Sequence, residues 1–140
     1  DAFMRLLALS TVMPVVGGAY PVKQDPTLFM MNLGSNVLEA NEYGCFSVKG
    51  IGLGFTVVQR EGIEKLAAKA PLLKFPDGDP IPHIFRQDSI NGEFRGEDIA
   101  FFSDIRELGY TVHLDPSVTL GHVGSKTFTA SLSDYLKQET

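Results

Sequence analysis

Glycine and proline divide this chain into short segments and so limit the length of every helix and strand. Pro71 and Gly109 each follow a segment with helical periodicity and are expected to end it. Glycines interrupt the apolar region 37–60 at four places, Gly44, Gly50, Gly52 and Gly54. Such a region favours two or three short strands over one long element. Short strands and helices in mixed order predict an α/β fold with a mixed sheet flanked by helices.

Apolar periodicity of the helical type occurs in three segments, and the polar tail favours a fourth, shorter helix. These segments are Ala2–Leu9, Glu61–Ala70, Glu97–Leu108 and the region near Leu132–Leu136. Asp1 is well placed to cap the first of them. The segments between the helices predict strands, among them Val12–Tyr20, Thr27–Asn32 and one on each side of Asp115-Pro116.

The segment 71–94 is expected to be a long loop. It contains four prolines and two glycines and has little periodicity. Long loops in small domains are often lids or binding loops, and this one is interpreted in that way.

Composition narrows the classes of protein to which the chain can belong. A length of 140 residues with 44% hydrophobic and 21% charged side chains indicates one globular domain, residues 1–140. The net charge of −5 and the lack of a Lys/Arg run argue against nucleic-acid binding. A single cysteine, Cys45, excludes an internal disulfide and favours a reducing, cytoplasmic location. No apolar run approaches the roughly 18 to 20 residues of a membrane span.

Two adjacent acids, Glu97 and Asp98, open the helix predicted over Glu97–Leu108. With 3.6 residues per turn, both are expected on the apolar side of the helix or at its edge. One interpretation is complementation of the helix dipole, which favours acids in a first turn. The other is catalytic, because a carboxylate at the rim of an apolar pocket gains a raised pKa suited to a general base. The pair by itself leaves both interpretations open.

The sequence GEDIAFFSDIRELGYTVHLDPSVTLGHVG, residues 96–124, resembles the C-terminal part of family-2-type glycosyltransferases with the GT-A fold. In that family an acidic pair opens an apolar helix, and an ELGY-like end, an LDPS strand and a GHVG motif follow. Upstream, VKGIGLGFTVVQREGIEKL resembles the family's glycine-rich strand, turn and helix. DAFMRLLAL and VVGGAYP resemble the segment after its metal-binding acidic motif, so the resemblance covers most of the chain and implies a partial GT-A fold.

The resemblance implies an enzyme that transfers a sugar from a nucleotide-sugar donor to an acceptor hydroxyl, with inversion and with a divalent metal. It implies Asp98 as the catalytic base, with Glu97 orienting the acceptor or supporting Asp98. His122 of the GHVG motif would complete a metal or diphosphate site. Three glycines would lie near the donor and acceptor sugars: Gly50, Gly52 and Gly54. Arg86 in the predicted loop would meet the diphosphate, although a solvated loop arginine is the simpler interpretation.

The family's nucleotide-binding half, and the DxD motif that holds Mn²⁺ or Mg²⁺, would precede Asp1. The DGD of Asp77–Asp79 has the letters of that motif but is interpreted as a turn. We therefore expect little transferase activity from these residues alone. Two alternatives stay open, a non-catalytic carbohydrate-binding or structural module and a truncated product without its own function. A homo-oligomer formed through an incomplete sheet edge is also left open.

Overall fold

The computed structural model describes residues 1–35 and 37–138. In these ranges the helices are α1 (Ala2–Leu9), α2 (Arg60–Lys69), α3 (Glu97–Glu107) and α4 (Leu132–Gln138), with a short 3₁₀ helix at Leu53–Phe55. The strands of the first half are β1 (Val15–Gly17), β2 (Met31–Asn32), β3 (Phe46–Val48), β4 (Gly50–Ile51) and β5 (Thr56–Val58). Those of the second half are β6 (Leu72–Phe75), β7 (Gly78–Pro82), β8 (Asp88–Ile90), β9 (Glu93–Arg95), β10 (Val112–Leu114), β11 (Leu120–Val123) and β12 (Thr127–Ala130). None of the described helices combines the length and the apolar character that a membrane crossing requires.

A four-stranded mixed sheet forms the centre of the fold, in the order β3-β10-β1-β5. Strands β1 and β10 are parallel, with Val16 opposite His113, whereas β3 and β5 are antiparallel to their neighbours. The remaining strands form two-stranded pairs, β2–β4, β6–β7, β8–β9 and β11–β12. The predicted α/β class with a mixed sheet is confirmed.

Alternation along the central strands sends successive side chains to opposite faces of the sheet. On one face Val15, Val112 and Leu114 pack in a core that includes the α3 residues Phe101 and Ile105. On the other face the neighbouring Val16 packs against α1, in the cluster Leu6, Leu9, Met13, Val16, Cys45 and Val118. Helix α3 is therefore anchored to the sheet by its apolar stripe, which fixes where its first turn lies.

Helix ends with local sequence signals agree with the predictions. Helix α1 has the predicted bounds, and the Asp1 carboxylate accepts from the Phe3 amide at 3.0 Å. Helix α3 begins at Glu97 as predicted, and Gly109 after it has a φ of +89°, which glycine adopts without strain. Of the predicted strand Val12–Tyr20, only Val15–Gly17 is a strand, because only these three residues pair with the neighbouring strand β5.

The prediction of a long loop at 71–94 is wrong. The segment forms two hairpins, β6–β7 and β8–β9. The second turns at Asn91-Gly92, whose φ values of +52° and +82° are those that a tight hairpin turn requires. The DGD triplet is a turn only in part, since Asp77 lies in the first turn while Gly78 and Asp79 belong to β7.

Candidate functional site

Asp98 lies in the first turn of α3, half-buried against the glycine-rich segment that follows β4. Its Oδ1 accepts a hydrogen bond from the Leu53 amide at 3.1 Å. Removal from water raises the pKa of Asp98, the Leu53 amide opposes this rise, and the charge of Glu97 adds to it. The carboxylate is thus held in one place while its affinity for a proton is increased.

Glu97 has the opposite environment, although it precedes Asp98 directly. Its side chain is exposed, and Gln87 Nε2 donates to it at 3.4 Å. Its own backbone amide, followed by Gln87, lowers the pKa of Glu97. The expectation that both acids lie on the apolar side of the helix or at its edge is wrong for Glu97, which is turned about 100° from Asp98 and is exposed.

Tyr20 is a site residue that the sequence analysis did not single out. A Cβ on Gly52 would lie 2.3 Å from the Tyr20 hydroxyl, and one on Gly54 would lie 2.9 Å from Cε1. Burial, and then the charges of Asp98 and Glu97, raise the pKa of Tyr20. Gly52 contacts the phenol of Tyr20, and the next residue, Leu53, donates a hydrogen bond to Asp98. The phenol and the carboxylate therefore contact adjacent residues of the backbone. The sequence signal for Tyr20 was its position just after the glycines of the predicted strand Val12–Tyr20, in a chain with a second glycine-rich segment at 50–54.

His122 on β11 lies on the other side of Tyr20. The two rings meet edge to face, with their centroids 5.3 Å apart. His122 Nδ1 is 3.0 Å from the Pro21 carbonyl oxygen. A carbonyl can only accept, so Nδ1 carries the proton and, in the neutral ring, Nε2 carries the lone pair. His122 thus contacts Tyr20, and Tyr20 lies close enough to Asp98 for the charge of Asp98 to raise its pKa.

The residues described here do not form a metal site. No group of three His, Cys, Asp or Glu side chains suited to a metal ion occurs within residues 1–35 and 37–138. His122 could supply one ligand through Nε2, and its Nδ1–H bond to a carbonyl is typical of metal-binding histidines. A hard cation needs several oxygen ligands besides, which this part of the chain does not gather.

Gly50 and Arg86 were also predicted as binding residues. Gly50 lines one cavity with Asp98, whereas Arg86 does not. A Cβ on Gly50 would be 3.2 Å from Phe102 Cβ, so the glycine allows β4 to approach α3. Arg86 forms a two-pronged ion pair with Asp104 and a second pair with Asp88 at 3.1 Å. These contacts tie the β8–β9 hairpin to α3, and the structure does not bring Arg86 to Asp98.

A cavity of about 710 Å³ opens between α3 and the β2–β4 pair, with Asp98 in its wall. Its volume is within the range of pockets that hold small ligands. Its lining residues are Met30, Met31, Asn32, Leu33, Gly34, Ser35, Lys49, Gly50, Ile51, Asp98, Ile99, Phe102, Ser103 and Arg106. A proton acceptor thus lies in the wall of a ligand-sized space to which apolar side chains such as Ile51 and Phe102 also contribute.

Comparison of the chain with protein-family models, curated proteins and solved structures gave no match in any of the three. The functional interpretation therefore depends on the residues around Asp98.

Proposed function

We propose that this chain is the acceptor-side part of a glycosyltransferase, with a partial GT-A fold and Asp98 as the general base. The observation that carries the proposal is the half-buried Asp98 carboxylate, with its raised pKa, in the wall of a 710 Å³ cavity. A base of this kind serves best when its pKa is moved toward the working pH. The similarity of residues 96–124 to family-2-type glycosyltransferases supports the same assignment.

The proposed step transfers one sugar. The acceptor oxygen forms a bond to the anomeric carbon of the donor sugar on the face opposite the leaving group. The bond from that carbon to the diphosphate breaks, and the nucleoside diphosphate leaves with the electron pair. The acceptor proton passes to Asp98, so attack from the opposite face inverts the anomeric configuration. The Leu53 amide keeps Oδ1 in position while this proton moves.

Tyr20 and His122 are proposed to orient hydroxyl groups beside Asp98. No hydrogen bond to the Tyr20 hydroxyl occurs within the part of the chain that the structure describes, so the phenol can bind a ligand. His122 Nε2 is the ring atom left for a ligand once Nδ1 is engaged. A divalent cation would neutralise the diphosphate, and the described residues offer no group of three side chains to hold it.

Binding of neutral saccharides to the ¹⁵N-labelled chain tests the acceptor role. The amides of Gly52, Leu53 and Asp98 should shift on titration, whereas the amide of Gly78 on the distant β7 should not. No saccharide-induced shift, or shifts confined to the hairpins, would count against a sugar site at Asp98.

Transfer is tested with a nucleotide-sugar panel, Mn²⁺ and a saccharide that binds. The measurement uses a protein extended upstream through the nucleotide-binding half that the resemblance implies. Asp98→Asn should lower kcat by roughly 10²- to 10⁴-fold and leave donor KM near its original value. Glu97→Gln, a matched change at the exposed neighbour, should have a far smaller effect. Saccharide binding without any turnover would instead support the non-catalytic carbohydrate-binding module.

A further inference from the structure

Two cationic side chains line the cavity beside Asp98, and they come from different parts of the fold. Lys49 lies between β3 and β4, and Arg106 lies in the last turn of α3. The only acidic side chain in the described wall of the cavity is Asp98. The wall therefore has an excess of positive charge in a protein whose net charge is −5.

The pairing of the other arginines sets Arg106 apart from them. Four of its five arginines form ion pairs with carboxylates, in the pairs Arg5–Asp115, Arg60–Glu64, Arg86–Asp104 and Arg95–Asp88. Arg106 is the fifth, and no carboxylate pairs with it within residues 1–35 and 37–138. Lys49 likewise has no ion pair in the described ranges. Their charges remain available to a ligand in the cavity.

The backbone also makes room for Lys49. A Cβ on Gly34 would lie 2.6 Å from Lys49 Cγ and 2.9 Å from Cδ and Cε, so the lysine stem lies directly against the glycine. Gly34 has a φ of +74°, and the Lys49 amide donates to the Asn32 carbonyl at 2.8 Å. This contact directs the stem along the cavity wall rather than away from it.

We propose that the acceptor bound in this cavity carries an anionic group, a phosphate or a carboxylate, which Lys49 and Arg106 hold while its hydroxyl meets Asp98. The inference rests on the proposed function and adds the charge of the substrate to it. Arg106 suits such a group because the guanidinium can donate two parallel hydrogen bonds to its oxygens. The apolar lining residues, Ile51 and Phe102 among them, would contact the uncharged part of the acceptor.

Calorimetric titration of the 140-residue chain with matched probes tests the charge requirement. Glucose 6-phosphate, glucuronate and hexyl phosphate are compared with glucose and hexyl β-D-glucoside. Each anionic probe should bind at least roughly tenfold more tightly than its neutral partner, the size expected of one charge-assisted hydrogen bond. A sugar phosphate that exceeds hexyl phosphate indicates a glycan acceptor, and the reverse order indicates a lipid-like one. Equal affinity for charged and neutral probes would overturn the proposal.

Variants identify the residues responsible. Lys49→Met and Arg106→Met should each remove most of the preference for the anion, and Arg106→Lys should keep part of it. Lys74 and Arg60 lie outside the cavity, so Lys74→Met and Arg60→Met should leave the preference for the anion unchanged. Thermal unfolding of each variant establishes that it is folded. An anion preference that persists in the double variant Lys49→Met/Arg106→Met would refute the assignment.

Asp98→Asn separates this inference from the proposed function. Removing a negative charge beside the bound anion should tighten anionic probes or leave them unchanged, whatever the catalytic role of Asp98. Anion binding that depends on Lys49 and Arg106 therefore supports the inference even where transfer fails. Loss of hexyl phosphate binding in Asp98→Asn would contradict it, because this probe has no hydroxyl for Asp98 and removal of a negative charge should not weaken a site made of cations.

Discussion

The adjacent residues Glu97 and Asp98 show how strongly position decides the chemistry of one functional group. Glu97 is exposed and its backbone amide lowers its pKa, whereas Asp98 loses water and its pKa rises. The two side chains leave the helix about 100° apart, so one reaches solvent while the other meets Leu53. The dipole interpretation thus suits Glu97, and the general-base interpretation suits Asp98.

This difference predicts opposite effects of neutralisation on stability. The pKa of Asp98 is higher in the folded protein than its ordinary value of 3.8. Ionised Asp98 therefore lowers the stability of the fold at pH values above the folded pKa, and it has no such effect below pH 3.8, where the carboxyl is protonated in both states. Asp98→Asn should therefore unfold at the same or a higher temperature than the parent at pH 7, with no gain at pH 3. Glu97→Gln should lower the unfolding temperature at pH 7, since a lowered pKa stabilises above 4.5, and this loss should vanish in acid. Unfolding temperatures measured from pH 3 to 8 check both, and a loss for Asp98→Asn confined to neutral pH would contradict the first.

Gly52 is expected to be intolerant of a side chain. Its backbone conformation, φ −71° and ψ +142°, suits any residue, so the effect of Gly52→Ala is purely steric. The new Cβ would displace the Tyr20 hydroxyl and cost about 1–3 kcal/mol in the free energy of unfolding, as overpacking does. Chemical denaturation measures this loss, and Gly78→Ala, whose Cβ would have only a 3.9 Å neighbour, is the control. A Gly52→Ala protein as stable as the control would show that Tyr20 moves freely.

At the scale of helices and strands, the packing of α1 against the end of β10 depends on the buried carboxylate of Asp115. Asp115 is fully buried, and Arg5 Nε of α1 donates to its Oδ2 at 2.5 Å. The other oxygen accepts from the Ser117 amide at 3.0 Å and from the Ser117 hydroxyl at 2.7 Å. The LDPS motif therefore fixes the turn between β10 and β11. This turn sets the direction of β11, which carries His122 to Tyr20.

Removal of Arg5 should destabilise the protein severely. Arg5→Met leaves the Asp115 carboxylate buried without its cation, which typically costs about 3 kcal/mol or more. Arg60→Met is the matched change, because its pair with Glu64 spans 3.8 Å at the surface and contributes roughly 0–1 kcal/mol. Urea unfolding of the two variants compares them directly. Equal stabilities would mean that Ser117 alone satisfies Asp115.

The molecule as a whole consists of a buried sheet core and peripheral hairpins. Strands β1 and β10 have their apolar side chains buried, with Val15, Val16, Val112 and Leu114 at zero exposure. Every residue of β6 and β7 is exposed, so that hairpin has little buried surface to stabilise it. The candidate cavity lies where the core ends, between α3 and the β2–β4 pair.

Hydrogen exchange should divide the molecule in the same way. Amides in β6–β7 should exchange roughly 100-fold or more faster than those in β1 and β10, because local opening of the hairpin exposes almost no apolar area. Mass spectrometry of peptic fragments resolves the two regions. Comparable protection in both would show that the hairpin is covered in solution.

The sequence by itself determined the helices α1 and α3, the mixed α/β class and the acidic pair as a candidate site. These features follow from local rules, since Asp1 caps the helix that follows it and Gly109 ends the one before it. The tertiary structure alone decided the sheet order, which of the two acids is covered, and the position of Tyr20 beside His122 and near Asp98. Those three residues are far apart in the chain, and burial of α3 against the sheet fixes the position of Asp98. Burial of this kind is a property of the packed molecule, which no short stretch of sequence encodes.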